Sequence, residues 1–499
     1  MSPEAERGHR RDTLLTTAVG FAAYGLAVLS GPVLARALGA AGRGSYQAVW
    51  APVQLLGWAL MLGLPQATAY YAKEHDRRSL DATAWLAAVL VGVPVVALIW
   101  LLAPAFLAQH PPATVPWFRA YLVSALLVLP MQNSYEWLRA AGRTLTFNLY
   151  RALPFVLSTA GLVLLSSLGA LNLASALWAT LAANVVAPLT VLVLERSNPL
   201  AMPSTFSRAA ARRQLHYGGR VWVGTLSNMV TSRFDQFLMV SLVSPDQLGQ
   251  YAVAVTAAGL SAPIAQGVGF SLFPHLRAEA DPARRQARTR RALAWVAAAS
   301  ALIGGALALG GRWGLTTLMG PSFSGALVAC WILLPGQACW NLGQVVKARL
   351  EADDRPGAAS HALAAAALVT IVGVPLAVRF FGIEGAAAVT TLSQVVFLAW
   401  ATAALRRAGR PGHHAPRREG GRVAWAAMAD HVDEAGEAAV HVEVKPLAEW
   451  PDDKVRRAYR LLVGAVRQLT LSGAANAEID DARLDAELFG VELVRRKLL

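Results

Sequence analysis

Residues 232–251 read SRFDQFLMVSLVSPDQLGQY, and the fold turns on how this stretch is read. Apolar side chains dominate it, yet Arg233 and Asp235 stand near its start. An ionised side chain inside a lipid-spanning helix is costly, and where it occurs it faces a bundle interior or a wet cavity. Either the stretch is not a membrane helix, or its charges have a task. The rest of the chain decides between these. Of 499 residues, 55% are hydrophobic and only 15% charged, and the mean hydropathy is +0.42. A soluble domain carries about 25% charged residues. The composition is that of an all-α polytopic membrane protein.

A hydrocarbon layer about 30 Å thick is crossed by about 20 predominantly apolar helical residues. Spans are expected at residues 14–38, 47–72, 83–107, 117–138, 149–168, 172–194, 219–242, 251–276, 292–310, 324–346, 360–380 and 383–405. That is about twelve transmembrane helices. Pro32, Pro65, Pro130, Pro154 and Pro335 fall inside them and predict kinks rather than breaks. The charged start MSPEAERGHRRDTLL runs into the first apolar segment without a small-residue cleavage pattern, which predicts an uncleaved first span.

Charge sets the orientation. Alternate connections on one side hold 25 Lys and Arg residues; the other side has Arg36, Arg43, Arg119, Arg312 and Arg379. By the positive-inside rule both termini are cytoplasmic, and the protein is expected in the bacterial inner membrane. The formal charge of +14 is uneven: residues 1–427 hold 35 basic against 17 acidic residues, and residues 428–499 hold 10 against 14. Positive residues clustered between apolar segments are topology signals, so no nucleic-acid partner is expected. Cys330 and Cys339 lie in one apolar segment and suggest neither a disulfide framework nor a metal site. No GxxxxGKS loop for a nucleotide phosphate is present, and no cofactor is expected.

The chain also repeats itself. ARALGAAGRGSY, ending at Tyr46, matches VSLVSPDQLGQY, ending at Tyr251, with Gly44 opposite Gly249 at an offset of 205. LLVLPMQNS and WILLPGQAC pair Pro130 with Pro335 and Gln132 with Gln337 at the same offset, and SLGALNLASAL resembles FFGIEGAAAV at 213. Two six-helix halves are expected, and because six is even they are parallel repeats about an axis along the membrane normal. The expected divisions are an N-terminus (1–13), a first bundle (14–195), a basic linker (196–218), a second bundle (219–407), a linker (408–427) and a C-terminal module (428–499).

With these residues in place the chain resembles a known family. LARALGAAGRGSY, RFDQFLMVSLVSPDQLGQYAVAV, LMGPSFSGALVACWILLPGQ and FGIEGAAAVTTLSQ are similar to segments of the polysaccharide-export flippases, part of the multidrug/oligosaccharidyl-lipid/polysaccharide exporter superfamily. The resemblance spans roughly residues 12–407. It implies a V-shaped transporter that moves undecaprenyl-diphosphate-linked oligosaccharide repeat units across the membrane by alternating access, without a covalent step. Membrane lipids and the lipid-linked oligosaccharide are the partners it implies.

A flippase for such a substrate must reduce the cost of carrying a diphosphate and a hydrated glycan through a low dielectric. Arginine suits phosphate oxygens because it grips them bidentately. Arg233 lies about 21 Å into the seventh span at 1.5 Å per residue, beyond easy snorkelling. It is the leading phosphate contact, while Asp235 reads as an ion-coupling or gating carboxylate or as one arm of an interhelical salt bridge. Arg151 is a second substrate contact within snorkelling reach. Gln132 and Gln337 either meet sugar hydroxyls or satisfy backbone at their proline kinks. Glu136 and Arg139, three apart in SYEWLRAAGR, share a helical face and read as an interfacial ion pair or a vestibule gate.

Two other functions compete. A multidrug exporter of the same superfamily would share the topology, but its kind more often buries carboxylates for cationic drugs, and residues 14–38 contain no acidic residue. A membrane glycosyltransferase needs carboxylates or histidines in an outer loop, and ARALGAAGRGS has neither. Beyond the basic linker RRAGRPGHHAPRREGGR, AVHVEVK alternates like a strand, and PDDKVRRAYRLLVGAVRQL and IDDARLDAELFGVELVRRKLL read as amphipathic helices. A small soluble α+β module is expected there, a docking point for glycan-assembly enzymes.

Overall fold

The computed structural model describes residues 3–72, 75–197, 202–279, 281–353 and 355–408. The module expected at 428–499 lies outside the described residues. Residues up to Arg406 form one compact unit, and almost all of its described residues are helical. In chain order the helices are α1 (Pro3–Ala59), α2 (Leu64–Tyr71), α3 (Arg77–Ala87), α4 (Val93–Phe106), α5 (Thr114–Ala125), α6 (Val128–Ala140), α7 (Thr144–Ser167), α8 (Leu173–Leu194) and the single turn α9 (Met202–Thr205). They continue with α10 (Arg208–Leu242), α11 (Pro245–Ala258), α12 (Ala262–Ala278), α13 (Pro282–Met319), α14 (Ala326–Ala352) and α15 (Pro356–Ala408).

Among the described residues, eight helical segments are long and apolar enough to cross a membrane, and a ninth results if the bent pair Ser30–Ala59 and Leu64–Tyr71 counts as one span. Side chains facing outward support that reading. Leu90, Leu101, Leu302, Phe380 and Phe381 are all exposed, and so much exposed apolar surface requires lipid rather than water around it. The chain is a multi-pass membrane protein. α10 is not among the eight. Its arginines, Asp235 and its glutamines keep its hydropathy low, so it needs neighbouring helices to cover them.

Within the long helices α1 and α15 the breaks come at glycines, while the α5–α6 interruption at Leu126–Leu127 lies just before Pro130. α1 changes direction at Gly39 (φ 64°) and α15 at Gly382 (φ 56°), and Gly63 (φ 69°) precedes α2. Positive φ is a conformation that glycine adopts without the Cβ clash other residues suffer. Pro32, Pro154 and Pro335 sit inside continuous helices, while Pro65 stands at the first turn of α2, where a missing N–H costs nothing.

The halves touch closely at the Arg-poor face. A Cβ on Gly44 would run into the carbonyl of Pro245, and one on Gly249 into the carbonyl of Ala40. These are the two glycines matched at offset 205, and each lies against the other's backbone nitrogen. Around them, Arg36 donates to the Thr317 carbonyl, Gln47 Nε2 donates to Gln236 Oε1 at 2.6 Å, and His110 Nε2 lies 3.1 Å from the Val240 carbonyl. At the Arg-rich face a second group of contacts joins α10 to the first half. Trp222 donates to the Ala59 carbonyl (2.9 Å), Gln214 to Thr68 (2.9 Å), and Tyr217 stacks on Tyr70 at 4.5 Å.

Candidate functional site

Ser207 opens α10 by accepting from the backbone N–H of Ala210, which satisfies one of the donors a helix start leaves free. The helix then runs for 35 residues and carries both charges of the opening stretch. Asp235 is buried at 4% exposure. Tyr251 on α11 donates to its Oδ2 at 2.5 Å and Thr390 on α15 at 3.2 Å. Its Oδ1 has no hydrogen-bond partner among the described residues. The interhelical salt bridge considered for Asp235 is absent among these residues: two hydroxyls from other helices contact it, and the nearby charge acting on it is that of Arg233 on its own helix. A buried carboxylate with one free oxygen beside two hydroxyl oxygens can take up a proton or a small monovalent cation. Among the described residues no cluster of three His, Cys, Asp or Glu offers a multivalent metal site.

The first half has an uncharged counterpart. Tyr46, the repeat mate of Tyr251, lies 2.9 Å from Thr180 Oγ1, as Tyr251 lies 3.1 Å from Thr390 Oγ1. Thr180 and Thr390 are 210 apart, so the offset of 213 read from the flanking segment holds at the positive-φ glycines Gly169 and Gly382 and drops by three within the helix that follows. Ser30 occupies the position equivalent to Asp235.

Arg233 is exposed, and no hydrogen bond or ion pair holds it among the described residues. Its direction follows from its helical neighbours, since residues three, four and seven apart share a face. Gln236 bonds Gln47, Phe237 packs on Phe106 at 5.1 Å, and the Val240 carbonyl meets His110. All three partners belong to the first half. Arg233 is one turn toward the Arg-rich face on that same side of α10, above Trp222 and its contact with Ala59. It therefore shares the side of α10 that meets the first half.

The other expected positions are dispersed. Glu136 and Arg139 pair with each other at 2.6 Å on α6, with the arginine side chain 56% exposed. Arg151 is exposed on α7, next to Tyr150, whose carbonyl accepts from Tyr135 at 2.9 Å. Gln132 is half-buried, and Gln337 donates to Asn341 at 2.9 Å. The structure gathers none of these five around Asp235.

Sequence reasoning passed over a largely buried polar chain that runs from α10 into the first half. Gln214 donates to Thr68, Thr68 bonds Asn133, and Asn133 donates to Asp81 at 2.7 Å. Asp81 meets Arg77 at 3.4 Å, and Arg77 and Arg143 converge on Glu195 at 2.9 and 3.0 Å. The guanidinium of Arg77 also lies 4.3 Å over Trp137. On α14, Asn341 likewise bonds two neighbours, Ser261 at 2.8 Å and Ser300 at 3.0 Å. Asn133 is adjacent to Gln132 and Asn341 is one helical turn from Gln337, so the repeat-matched glutamines marked the right turns but not the buried side chains.

The architecture is shared with solved transporters. An inward-facing multidrug resistance MATE family transporter of the MOP superfamily matches with a TM-score of 0.63 at 14% identity, covering 80% of this chain and 100% of its own. The lipid II flippase MurJ in an inward closed conformation matches at 0.64 with 10% identity, covering 97% and 100%. A MOP superfamily transporter from Pyrococcus furiosus matches at 0.52 with 14% identity, covering 81% and 96%. Among curated proteins, none matches this chain in sequence. The fold is thus the one these solved transporters share. The family model of the polysaccharide biosynthesis proteins matches residues 9–276, more than half of the chain, and the chain belongs to that family.

Proposed function

We propose that this protein is a flippase for undecaprenyl-diphosphate-linked oligosaccharide repeat units, working by alternating access across the bacterial cytoplasmic membrane. Twelve spans in two parallel halves place both termini in the cytoplasm. The observation that carries the reading is Arg233: an exposed cation, held by no hydrogen bond or close ion pair among the described residues, on the side of α10 that faces the first half. An arginine in that position can take phosphate oxygens in a cavity where water is scarce. Family membership supplies the link to polysaccharide assembly. Asp235 serves as the coupling carboxylate, filled by a proton or cation when the halves rearrange. Arg151, Gln132 and Gln337 provide secondary contacts to phosphate and sugar, and the Glu136–Arg139 pair gates the cytoplasmic vestibule. The 428–499 module recruits glycan-assembly enzymes.

The test is complementation of a deletion strain. Deletion is expected to remove the surface polymer and to accumulate lipid-linked repeats in the inner leaflet, and R233E is expected to fail to restore export while R233K restores it in part. Full export by R233E removes the phosphate role. The MATE likeness keeps one other reading open, export of small cationic molecules. Changed dye efflux with normal surface polymer in the deletion strain would establish that function instead.

A further inference from the structure

α13 presents one continuous outward stripe. Trp295, Leu302, Leu309 and Trp313 are 75%, 76%, 91% and 82% exposed, and at 100° per residue all four fall within a narrow arc of the helix. Trp295 and Trp313 are 18 residues apart, about 27 Å along the axis, close to the thickness of the hydrocarbon layer. Tryptophans favour the two membrane–water interfaces. The stripe therefore spans the bilayer with an indole at each boundary. Arg291 and Arg288 continue the same arc, about 6 Å and 10 Å beyond Trp295, which places them at headgroup level on the Arg-rich face.

At that level a shallow cavity of about 390 Å³, wide open to the surface, lies between α12 and α13, lined by Ser271, Leu272, His275, Arg288 and Arg291. His275 Nδ1 lies 2.6 Å from the Ser271 carbonyl, so it donates there and the ring's other edge faces the cavity. Arg288 is held by Glu279 at 3.1 Å. Arg291 is exposed, with no ion pair among the described residues. The lining thus combines an apolar floor, one steadied guanidinium and one free guanidinium.

We propose that this cavity binds the headgroup of an anionic phospholipid from the leaflet at the Arg-rich face. Arg291 and Arg288 take the phosphate oxygens, Ser271 and His275 offer further polar contacts, and the acyl chains lie along the Leu302–Leu309 stripe. Charge complementarity and the indole spacing both select a lipid over a soluble anion. The site lies on the outward surface of α13, apart from Arg233 and Asp235, so it is a site for a bound lipid and not for transported cargo.

Native mass spectrometry of the delipidated full chain tests this, with phosphatidylglycerol, phosphatidylcholine and inorganic phosphate as separate probes. The expected result is retention of phosphatidylglycerol in preference to phosphatidylcholine. R288Q and R291Q are each expected to weaken phosphatidylglycerol binding about fivefold, the factor that corresponds to about 1 kcal/mol per basic residue at a membrane surface. S271W, which fills the cavity from an exposed position without changing charge, is expected to remove the preference. Equal retention by wild type and S271W overturns the proposal, as does displacement of phosphatidylglycerol by millimolar phosphate. Because no transport is measured, the outcome is independent of whether the protein flips oligosaccharides.

Discussion

Tyr46 and Tyr251 make the same hydroxyl contact in the two halves, but only Tyr251 also serves a carboxylate. A hydrogen bond between neutral groups contributes about 1 kcal/mol net, and one to a charged group about 1.5–3 kcal/mol. Tyr251→Phe is therefore expected to destabilise the protein about twice as much as Tyr46→Phe, as read from unfolding of the purified protein in mixed micelles. Equal losses would mean that the Asp235 carboxylate gains nothing from Tyr251. The same comparison shows what the sequence could convey. Both tyrosines were visible as repeat marks, because identical residues at one spacing stand out. Their threonine partners were not, since Thr180 and Thr390 are 134 and 139 residues away in the chain, and three residues separate the register of the turn from that of the helix after it. Arg233 and Asp235 were legible as anomalies because charge in an apolar segment is rare, but only the structure separates a buried, hydroxyl-bonded side chain from an exposed one two residues earlier.

At the level of whole helices, the decisive contact is the crossing of α1 and α11 through Gly44 and Gly249. No side chain, not even a methyl group, fits at either glycine without moving the facing backbone. Gly249→Ala is expected to part the two helices at the Arg-poor face, whereas Gly259→Ala, with open space around it, leaves them in place. Disulfide formation between Gln47→Cys and Gln236→Cys checks this: it should be efficient with Gly259→Ala and fall several-fold with Gly249→Ala. Helix existence was readable from apolar length, and most expected spans coincide with described helices. Helix breaks were less readable. The prolines were expected to kink helices without breaking them, as a membrane helix with packed neighbours allows, but nothing in the sequence singled out Gly39 and Gly382, where the chain turns at positive φ. The polar chain from Gln214 to Glu195 was hidden for a different reason, since each member is an ordinary residue and its meaning lies in partners brought together from six separate elements.

For the molecule as a whole, two clusters of contacts join the halves at opposite faces, and Arg233 stands between them on α10. That helix has a consequence for biosynthesis. An arginine or aspartate at the centre of a helix adds about 2.5–3.5 kcal/mol to the cost of passing from the translocon into lipid, and α10 carries both Arg233 and Asp235 within its apolar part, beyond the four arginines nearer its start. It is too polar to enter lipid alone. Its aspartate is covered first by Tyr251 on the next helix and only later by Thr390, 155 residues downstream. Membrane entry of α10 is thus expected to wait for the chain behind it. Glycosylation mapping of chains truncated after residue 244, 280 or 408 should show α10 inserting poorly in the shortest and fully in the longest. The protein would then finish its topology late, with the charged helix at its centre the last to be secured.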